Sequence, residues 1–405
     1  MSDNGNTKLT NDAIATLRWL IMSSVFLNGV IGTGLVGPNR PAIEAEFGFT
    51  HGQFGLGFAV LQMLAAVPVV LLAGRIGRLN PFKQVSLGLA VVATGFSAIC
   101  FAPGALALMA GWMLVVGGTV MSSVTNNVSM DLWPSHPRRG VTLLHSFNAG
   151  GKVAGPLVAA FCVAYGWRSS FLAAGVMTLA VLAAFVTLDK PSRLIYGHDW
   201  AGQVAKINTG VMKQLRYWHC VLPLGLIAGG EAAFVTLVPT YFQRVRHFSA
   251  GAASLMLTIH LLGLMVGRFA AAGAAKKVSN DTIINVCLVT TLFVFPAVLA
   301  GNWMVSIPAL FLAGLMSSAT WPTYYGQAFA RLPQHGHMLA YGSFVANTVG
   351  ISLCVLLSSL IADLNLTISM FVGPAVFWLF GVVYYLTGLS GPAHPGANGA
   401  KLKGY

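Results

Sequence analysis

Residues 219–242 have the sequence HCVLPLGLIAGGEAAFVTLVPTYF, in which Glu231 is the single acidic side chain. About 20 predominantly apolar residues are enough for a helix to cross the hydrocarbon core of a bilayer. We therefore predict a membrane-spanning helix over this stretch. Glu231 would lie near the middle of the bilayer, where an ionisable side chain is costly and by default indicates function.

Comparable apolar runs occur along the whole chain of 405 residues. Hydrophobic residues make up 56% of the sequence and charged residues 8%, whereas soluble domains carry about 25% charged residues. This excludes ordinary soluble, disordered and disulfide-scaffold proteins. The fold class predicted is an all-α integral membrane protein with twelve transmembrane helices in two six-helix bundles. Their approximate bounds are 17–37, 51–73, 83–102, 105–130, 141–164, 168–188, 219–242, 251–272, 281–300, 303–328, 338–362 and 366–388.

The longest interior polar stretch divides these helices into two sets of six. The two sets echo each other at an offset of about 199 residues, since Phe49-Thr50 and Phe248-Ser249 each precede an apolar run. Two parallel six-helix repeats are typical of secondary transporters. The predicted segments are a cytoplasmic tail at 1–16, a first bundle at 17–188, a cytoplasmic linker at 189–218, a second bundle at 219–388 and a disordered Gly/Pro-rich tail at 389–405.

The predicted topology accounts for the net charge of +13, because most basic residues fall on one side of the membrane. With a cytoplasmic N-terminus, 17 of the 23 lysines and arginines fall on the cytoplasmic side, four fall outside, and two, Lys152 and Arg268, fall within helices. This bias follows the positive-inside rule. We therefore predict both termini in the cytoplasm, a multi-pass location in the cell (inner) membrane, and no nucleic-acid partner.

Three short motifs resemble those of the major facilitator superfamily. Residues 72–78, LAGRIGR, are similar to the end of its G-x-L-A-D-R-x-G-R loop. Residues 166–171, GWRSSF, are similar to its G-W-R-x-x-F turn, and residues 151–156, GKVAGP, to a G-x-x-x-G-P pattern often found in exporters. The resemblance covers all twelve predicted helices. It implies the major facilitator fold, transport by alternating access and, as is usual in the family, a monomer.

The resemblance assigns the loop residues Arg75, Gly77 and Arg78 to gating. Gly74 stands where the family has an aspartate, so the carboxylate of the family's charge latch is absent from this position. The sequence around Asn126 and His145 loosely resembles that of proton-coupled sugar permeases of the fucose type.

Glu231 and Lys152 are the candidate proton-coupling residues. A carboxyl at mid-bilayer depth can change its protonation state at physiological pH unless a cation pairs with it. Lys152 lies too deep for its ammonium to reach an interface easily. It would either pair with Glu231 or bind an anionic group of the substrate. A purely structural carboxyl is the other interpretation of Glu231, and Arg268 is expected to reach the cytoplasmic interface or helix-end carbonyls.

The candidate substrate-binding residues are polar or aromatic side chains within the predicted helices. They are Asn28, Asn126, His145, Asn148, Lys152, Glu231, His260, Trp321, Tyr324, Tyr325 and Asn347. His145, Asn148 and Lys152 share one helix face because they are spaced at i, i+3 and i+7. Aromatic faces with a few hydrogen-bonding groups suit a small polar organic ligand. Packing histidines and interfacial aromatic residues are the alternative interpretations.

We predict a secondary active transporter that moves a small polar, anionic organic solute by proton-coupled symport across the lipid bilayer. One alternative is a proton-driven exporter of a drug or metabolite such as a siderophore. The other is a membrane sensor or scaffold that transports nothing. The sequence contains no nucleotide-binding motif and its five cysteines form no CxxC pair, so we expect no enzyme, no cofactor and no metal site.

Overall fold

The computed structural model describes residues 10–76, 79–133, 137–196, 209–274, 277–300, 302–332 and 336–387. Across these ranges the chain is helical and contains no strand. Helices of the first half are α1 (Asn11–Gly29), α2 (Val36–Phe47), α3 (His51–Ile76), α4 (Pro81–Cys100), α5 (Ala105–Met121), α6 (Thr125–Leu132), α7 (Pro137–Cys162), α8 (Trp167–Leu188) and α9 (Ser192–Ile195). Those of the second half are α10 (Leu215–Arg244), α11 (Ala250–Ala274), α12 (Asn280–Val298), α13 (Trp303–Ser317), α14 (Thr320–Arg331), α15 (Gly336–Leu364), α16 (Leu366–Ser369) and α17 (Val372–Leu386). The tail predicted at 389–405 lies outside the described residues.

Ten of the described helical stretches are long and apolar enough to cross a membrane. They correspond to ten of the twelve predicted spans. Of the other two, span 51–73 corresponds to α3, and span 105–130 is not one continuous helix but is divided by a 3-10 turn at Ser122–Val124 into α5 and α6. Large apolar side chains are exposed, for example Phe101 at 81% and Leu106 at 83%. Such exposure fits helices surrounded by lipid, since lipid tails are as apolar as these side chains. The predicted all-α membrane fold is confirmed.

The helices form two compact units. Met1–Gly48 and Leu61–Lys206 make up the first unit, and Phe49–Val60 and Ile207–Tyr405 make up the second. Within the first unit α4 packs on α5 and α8, and α1 packs on α7. Within the second unit α10 packs on α11, α15 and α17, and α11 packs on α13.

The internal repeat predicts two helix starts, and both are present. The Thr50 hydroxyl accepts a hydrogen bond from the Gln53 amide at 3.2 Å, and the Gln53 side chain accepts one from the Thr50 amide at 2.9 Å. This reciprocal pair is a capping box, which satisfies amides that the first helical turn leaves unpaired. Ser249 precedes α11 and accepts from the Ala252 amide at 3.3 Å. The two starts are offset by the spacing that the sequence indicates.

The G-W-R turn ties α8 to the end of α2 within the first unit. One carboxylate oxygen of Glu46 accepts from the Trp167 indole and from Arg168, both at 2.7 Å, and its other oxygen lies 2.6 Å from a second Arg168 nitrogen. The Arg168 hydrogen bond is the main reason that the pKa of Glu46 falls below its usual value. This turn therefore joins α8 to α2 through the contacts of Trp167 and Arg168 with the Glu46 carboxylate.

Candidate functional site

Glu231 follows two glycines that hold α10 close to its neighbours. A Cβ atom at Gly229 would lie 2.5 Å from the Gly350 carbonyl oxygen of α15, and one at Gly230 would lie 2.9 Å from the Gly373 carbonyl oxygen at the start of α17. Real Cβ atoms essentially never approach other heavy atoms this closely, so a side chain at either position would push the helices apart. The sequence Gly-Gly-Glu thus sets an acidic side chain at a tight crossing of three helices.

Arg268 of α11 is the cation that faces Glu231. Its Nη2 atom lies 4.0 Å from the Glu231 Oε2 atom, and the side chains are 12% and 20% exposed. This separation exceeds hydrogen-bond length, so the contact is an ion pair without a direct hydrogen bond. The Nε atom of Arg268 is buried and has no hydrogen-bond partner among the described residues.

The expectation that Arg268 reaches the interface is therefore wrong. The long arginine side chain points to the carboxylate of a neighbouring helix, because two opposite charges stabilise each other where water is scarce. The signal in the sequence is that Glu231 and Arg268 are the two oppositely charged residues away from the ends of the second-unit spans. Sequence position alone does not reveal which helix faces bring them together.

A small cavity lies beside the Glu231 side chain, within the second unit. Its volume is about 20 Å³, which is room for about one water molecule. Glu231, His260 and Ser317 supply its polar lining, and its aromatic lining comes from Phe234, Phe295 and Phe377. The sequence analysis missed the phenylalanines, since a phenylalanine in an apolar run carries no mark of a binding site. An aromatic wall with a few polar groups is the usual composition of a small-molecule site, but such sites have volumes of roughly 300–1,000 Å³, so this cavity is too small for an organic solute.

His260 joins the same cavity from α11. It is 2% exposed, its Nδ1 atom lies 3.2 Å from the Leu310 carbonyl oxygen, and its ring centroid lies 5.1 Å from that of Phe234. A carbonyl oxygen only accepts, so Nδ1 carries the proton in this contact. In the neutral ring the other nitrogen, Nε2, is then a hydrogen-bond acceptor.

Asn28 of α1 and Asn148 of α7 lie where these two helices cross. The Asn148 side chain donates to the Val25 carbonyl at 3.3 Å. The Asn28 Oδ1 atom is buried and has no hydrogen-bond partner among the described residues. Lys152 is half-buried on α7, as is His145. Lys152 and Glu231 belong to different units, so a contact between them stays a prediction.

Gly151 explains the G-x-x-x-G-P pattern of α7. A Cβ atom there would lie 1.8 Å from the Phe26 carbonyl oxygen, and one at Gly155 would lie 2.5 Å from the Gly34 Cα atom. Small residues four apart let two helix backbones approach closely in a membrane. The pattern is accounted for by this packing, and it carries no information on the direction of transport.

The aromatic residues predicted on α14 divide into two groups. Trp321 and Tyr325 are half-buried and stacked, with ring centroids 5.1 Å apart, and the Trp321 indole donates to the Asn347 side chain at 3.4 Å. Tyr324 is 1% exposed within the packed core of the second unit, and its hydroxyl donates to the His219 carbonyl at 2.9 Å. Trp321, Tyr325 and Asn347 therefore form one surface, while Tyr324 contributes to packing.

Three predicted gating residues and one predicted binding residue are described only in part or not at all. Arg75 lies in α3 with its side chain not described, and Gly77 and Arg78 lie outside the described residues. Asn126 lies in α6, also with its side chain not described. Their proposed roles remain predictions.

Comparisons with known proteins agree with this architecture. A relative in Cupriavidus necator, the probable sulfoacetate transporter SauU, is 26% identical over 301 residues, which cover 69% of this chain and 68% of the relative. A bacterial homologue of the human lysosomal transporter Spinster, solved in an inward-facing and unoccupied conformation, has a TM-score of 0.72 at 12% identity, covering 93% of this chain and 97% of the other. A structure of the E. coli fucose:proton symporter FucP has a TM-score of 0.61 at 14% identity, covering 94% of this chain and 99% of the other. At these identities the solved structures support the fold alone.

The family model described as Major Facilitator Superfamily matches residues 21–353. This stretch covers most of the chain and includes parts of both units. Together with the all-helical fold and the transporter relative, it shows that the protein is a transporter and not an enzyme. The chain belongs to the Major Facilitator Superfamily.

Proposed function

We propose that this protein is a secondary transporter that moves a small anionic organic solute together with protons by alternating access. The observation that carries the proposal is the Glu231–Arg268 ion pair beside an aromatic cavity, within the membrane-spanning helices of one unit. Pairing with Arg268 favours the ionised carboxyl, so proton uptake requires that the two side chains move apart during the transport cycle. Intramembrane ionisable residues commonly mark proton and substrate pathways.

The substrate class follows from the charges of the candidate residues. Apart from cations at the first or second residue of a span, Arg268 in the second unit and Lys152 in the first are the two cations within the predicted spans, and each favours an anionic ligand. Lys152 is proposed either as a counter-ion of Glu231 or as a binding group for the substrate. The name of the Cupriavidus necator relative, a probable sulfoacetate transporter, supports a small organic anion. Sulfoacetate carries a carboxylate and a sulfonate, and is the first compound to test.

In the proposed mechanism, the substrate site opens to one side of the membrane at a time. Protonation of Glu231 on one side and its deprotonation on the other would couple solute movement to the proton gradient. We propose a cell (inner) membrane location with cytoplasmic termini, and a monomer as the working unit.

Reconstituted vesicles test this function. We expect the wild type to accumulate sulfoacetate when the external pH is lower than the internal pH. Glu231→Gln should lose accumulation but retain exchange of labelled for unlabelled solute, because exchange needs no net proton movement. Asp12→Asn, which changes an exposed acid in the first turn of α1, is the matched control and should behave as the wild type.

Other outcomes separate the alternatives. Accumulation by Glu231→Gln at the wild-type level would disprove proton coupling through this residue. Binding of hydrophobic cations or siderophores, with no binding of organic anions, would favour the exporter. If no compound of either class binds or is transported, a sensor or scaffold becomes the better interpretation.

A further inference from the structure

The cavity beside Glu231 has the size and the lining of a site for one water molecule. Its volume is about 20 Å³, and a cavity holds a water when it offers about 10–15 Å³ of such space and two to four polar partners. Glu231, His260 and Ser317 supply these partners from α10, α11 and α13. The rest of the lining consists of apolar side chains and two glycines, so these three are the side-chain partners of a water bound there.

All three side chains present acceptors to that water. The Ser317 hydroxyl donates its hydrogen to the Ala313 carbonyl at 2.8 Å, so its oxygen can only accept. The His260 Nδ1 atom lies 3.2 Å from the Leu310 carbonyl oxygen and donates to it, which makes Nε2 the acceptor of the neutral ring. An ionised Glu231 carboxylate also only accepts.

The hydrogens in the cavity limit how these acceptors can be satisfied. A water molecule has two hydrogens, so it can donate to two of the three side chains. A third donor inside the cavity requires one further proton, carried by the histidine, by the carboxyl or by the water itself. The lining is therefore suited to hold a water together with a proton.

His260 is held in a fixed orientation beside this water. The ring is 2% exposed, its Nδ1 atom is bound to the Leu310 carbonyl oxygen, and its centroid lies 5.1 Å from that of Phe234. The hydrogen bond made by one imidazole nitrogen decides which nitrogen is left to gain or lose a proton. Here that nitrogen is Nε2.

Few other charged groups approach this site. Arg268 of α11 faces Glu231, with the two atoms 4.0 Å apart. Helix α13, which packs on α11, has no ionisable residue, and α17, which packs on α10, has no charged residue and no histidine. The other charged and histidine residues of α10 and of its neighbours α14 and α15 lie near helix ends and do not line the cavity; they are Arg216, His219, Arg244, Arg331, His337 and Asp363.

We propose that the cavity binds one water molecule that links His260 Nε2 to Glu231, and that His260 passes a proton through this water to the carboxylate. This inference rests on the proposed function and adds to its site a water and a second proton-carrying residue. The proton comes from the aqueous phase and first protonates Nε2.

The transfer conserves atoms and charge. The Nε2–H bond breaks as its proton joins the water oxygen, and one of the water's own O–H bonds breaks as that hydrogen joins a Glu231 oxygen. The water is regenerated, and an imidazolium and a carboxylate become a neutral ring and a neutral carboxyl. Arg268 opposes this step while it faces the carboxylate, so the transfer accompanies the separation of the ion pair.

Hydroxyl-radical labelling of the full-length protein in lipid nanodiscs tests for the water. A brief X-ray pulse converts a bound water into radicals that hydroxylate the aromatic rings in contact with it, and mass spectrometry locates the added oxygen. Phe234 and Phe377 line the cavity and are 3% and 5% exposed, so bulk solvent does not reach them. We expect both to be labelled, whereas Phe242, which is 1% exposed and does not line the cavity, should stay unlabelled.

A variant that fills the cavity links the label to this water. Ser317→Val replaces the hydroxyl by methyl groups and should abolish the labelling of Phe234 and Phe377. Absence of label on both rings in the wild type overturns the proposal, and this result does not depend on the folding of any variant. Labelling of Ser317→Val at the wild-type level overturns it as well.

Two substitutions of His260 test the proton transfer in reconstituted vesicles. The amide nitrogen of His260→Asn can take the place of Nδ1 and donate to the Leu310 carbonyl, so this variant removes mainly Nε2. His260→Gln places an amide near Nε2, which can bind the water but cannot carry a proton. Both variants should slow proton-driven accumulation of sulfoacetate by at least about tenfold and leave exchange near the wild-type rate, and His260→Gln should keep the label on Phe234. The control His219→Asn changes a histidine outside the cavity and should behave as the wild type.

The split between accumulation and exchange separates a relay from a structural role. Equal losses of accumulation and exchange in both variants would mean that His260 only supports the packing, which overturns the relay. Accumulation at the wild-type rate in either variant also overturns it. In that case accumulation that is lost in Glu231→Gln still supports the proposed function. A wild type that shows no proton-driven accumulation overturns the proposed function and the relay together.

Discussion

Replacement of Glu231 and replacement of Arg268 should each destabilise the protein, but to different extents, and the difference between the two losses should depend on pH. The two atoms that face each other lie 4.0 Å apart, and at an effective dielectric constant of about 20 two unit charges at this distance interact by about 4 kcal/mol. Both side chains are largely buried, so little of this attraction is screened. The partner that remains in each single variant decides the outcome.

Glu231→Gln leaves a buried guanidinium that does not release its proton. We expect a loss of about 3–5 kcal/mol in the free energy of unfolding, nearly constant between pH 5 and pH 8. Arg268→Gln leaves a carboxylate, which can instead become neutral. For a carboxyl of ordinary acidity, protonation costs about 1.4 kcal/mol for each pH unit above about 4.3. The loss in Arg268→Gln should therefore be about 1 kcal/mol at pH 5 and rise to about 3.7 kcal/mol at pH 7.

Thermal and denaturant unfolding in one detergent at several pH values provides the assay, with both single variants and the double variant. The double variant buries no uncompensated charge, so it should unfold within about 1 kcal/mol of the wild type. The reasoning is refuted if both single variants lose the same free energy at every pH. It is also refuted if the loss in the double variant equals the sum of the single losses, since additivity indicates residues that do not interact.

Two further predictions concern the first unit. Gly151→Ala should prevent close packing of α1 and α7 and strongly lower the yield of folded protein, because its Cβ atom would lie 1.8 Å from the Phe26 carbonyl oxygen. The control Gly150→Ala, whose Cβ atom would have its nearest contact at 3.6 Å, should fold normally. Equal yields of the two variants would contradict the packing argument. Because Arg168 holds the pKa of Glu46 low in the folded state, Glu46 should add stability above its unfolded value of about 4.3 and lose it as the pH falls through the lower folded value. Glu46→Gln should flatten this acid dependence in a thermal scan by less than about 1 kcal/mol, since the pair is partly solvent-screened, and an unchanged acid profile would show that the contact contributes nothing.

The internal repeat shows how equivalent positions acquire different chemistry. In the first unit Phe82 packs against Phe185, with ring centroids 5.9 Å apart. The positions 199 residues later hold Asp281 and Tyr384, and there the tyrosine hydroxyl donates to the carboxylate. The same pair of helices is thus joined by an apolar contact in one unit and a polar one in the other. A repeat in sequence predicts where two helices meet, but the residues decide what the contact does.

Much of the fold could be predicted from the apolar runs. A run of about 20 residues without charge must form a helix in a bilayer, because every backbone polar group has to be satisfied within the segment. The helix starts at Thr50 and Ser249 follow from local side-chain chemistry. Glu231 could be singled out because a single acid in a long apolar run has few structural explanations. These are properties of short stretches of chain, so they need no knowledge of the tertiary structure.

The partner of Glu231 could not be predicted in the same way. Arg268 lies 37 positions further along the chain, and only the crossing of α10 and α11 determines that its guanidinium faces the carboxylate. The same holds for Tyr324 and Tyr325, which are neighbours in sequence but belong to the packed core and to the stacked aromatic pair, respectively. Sequence alone determined the helices, their order and the acid in the membrane. The tertiary structure decided which side chains meet, because contacts between helices depend on the rotation and separation of each helix. Gly229 and Gly230, for example, let α10 approach α15 and α17 closely.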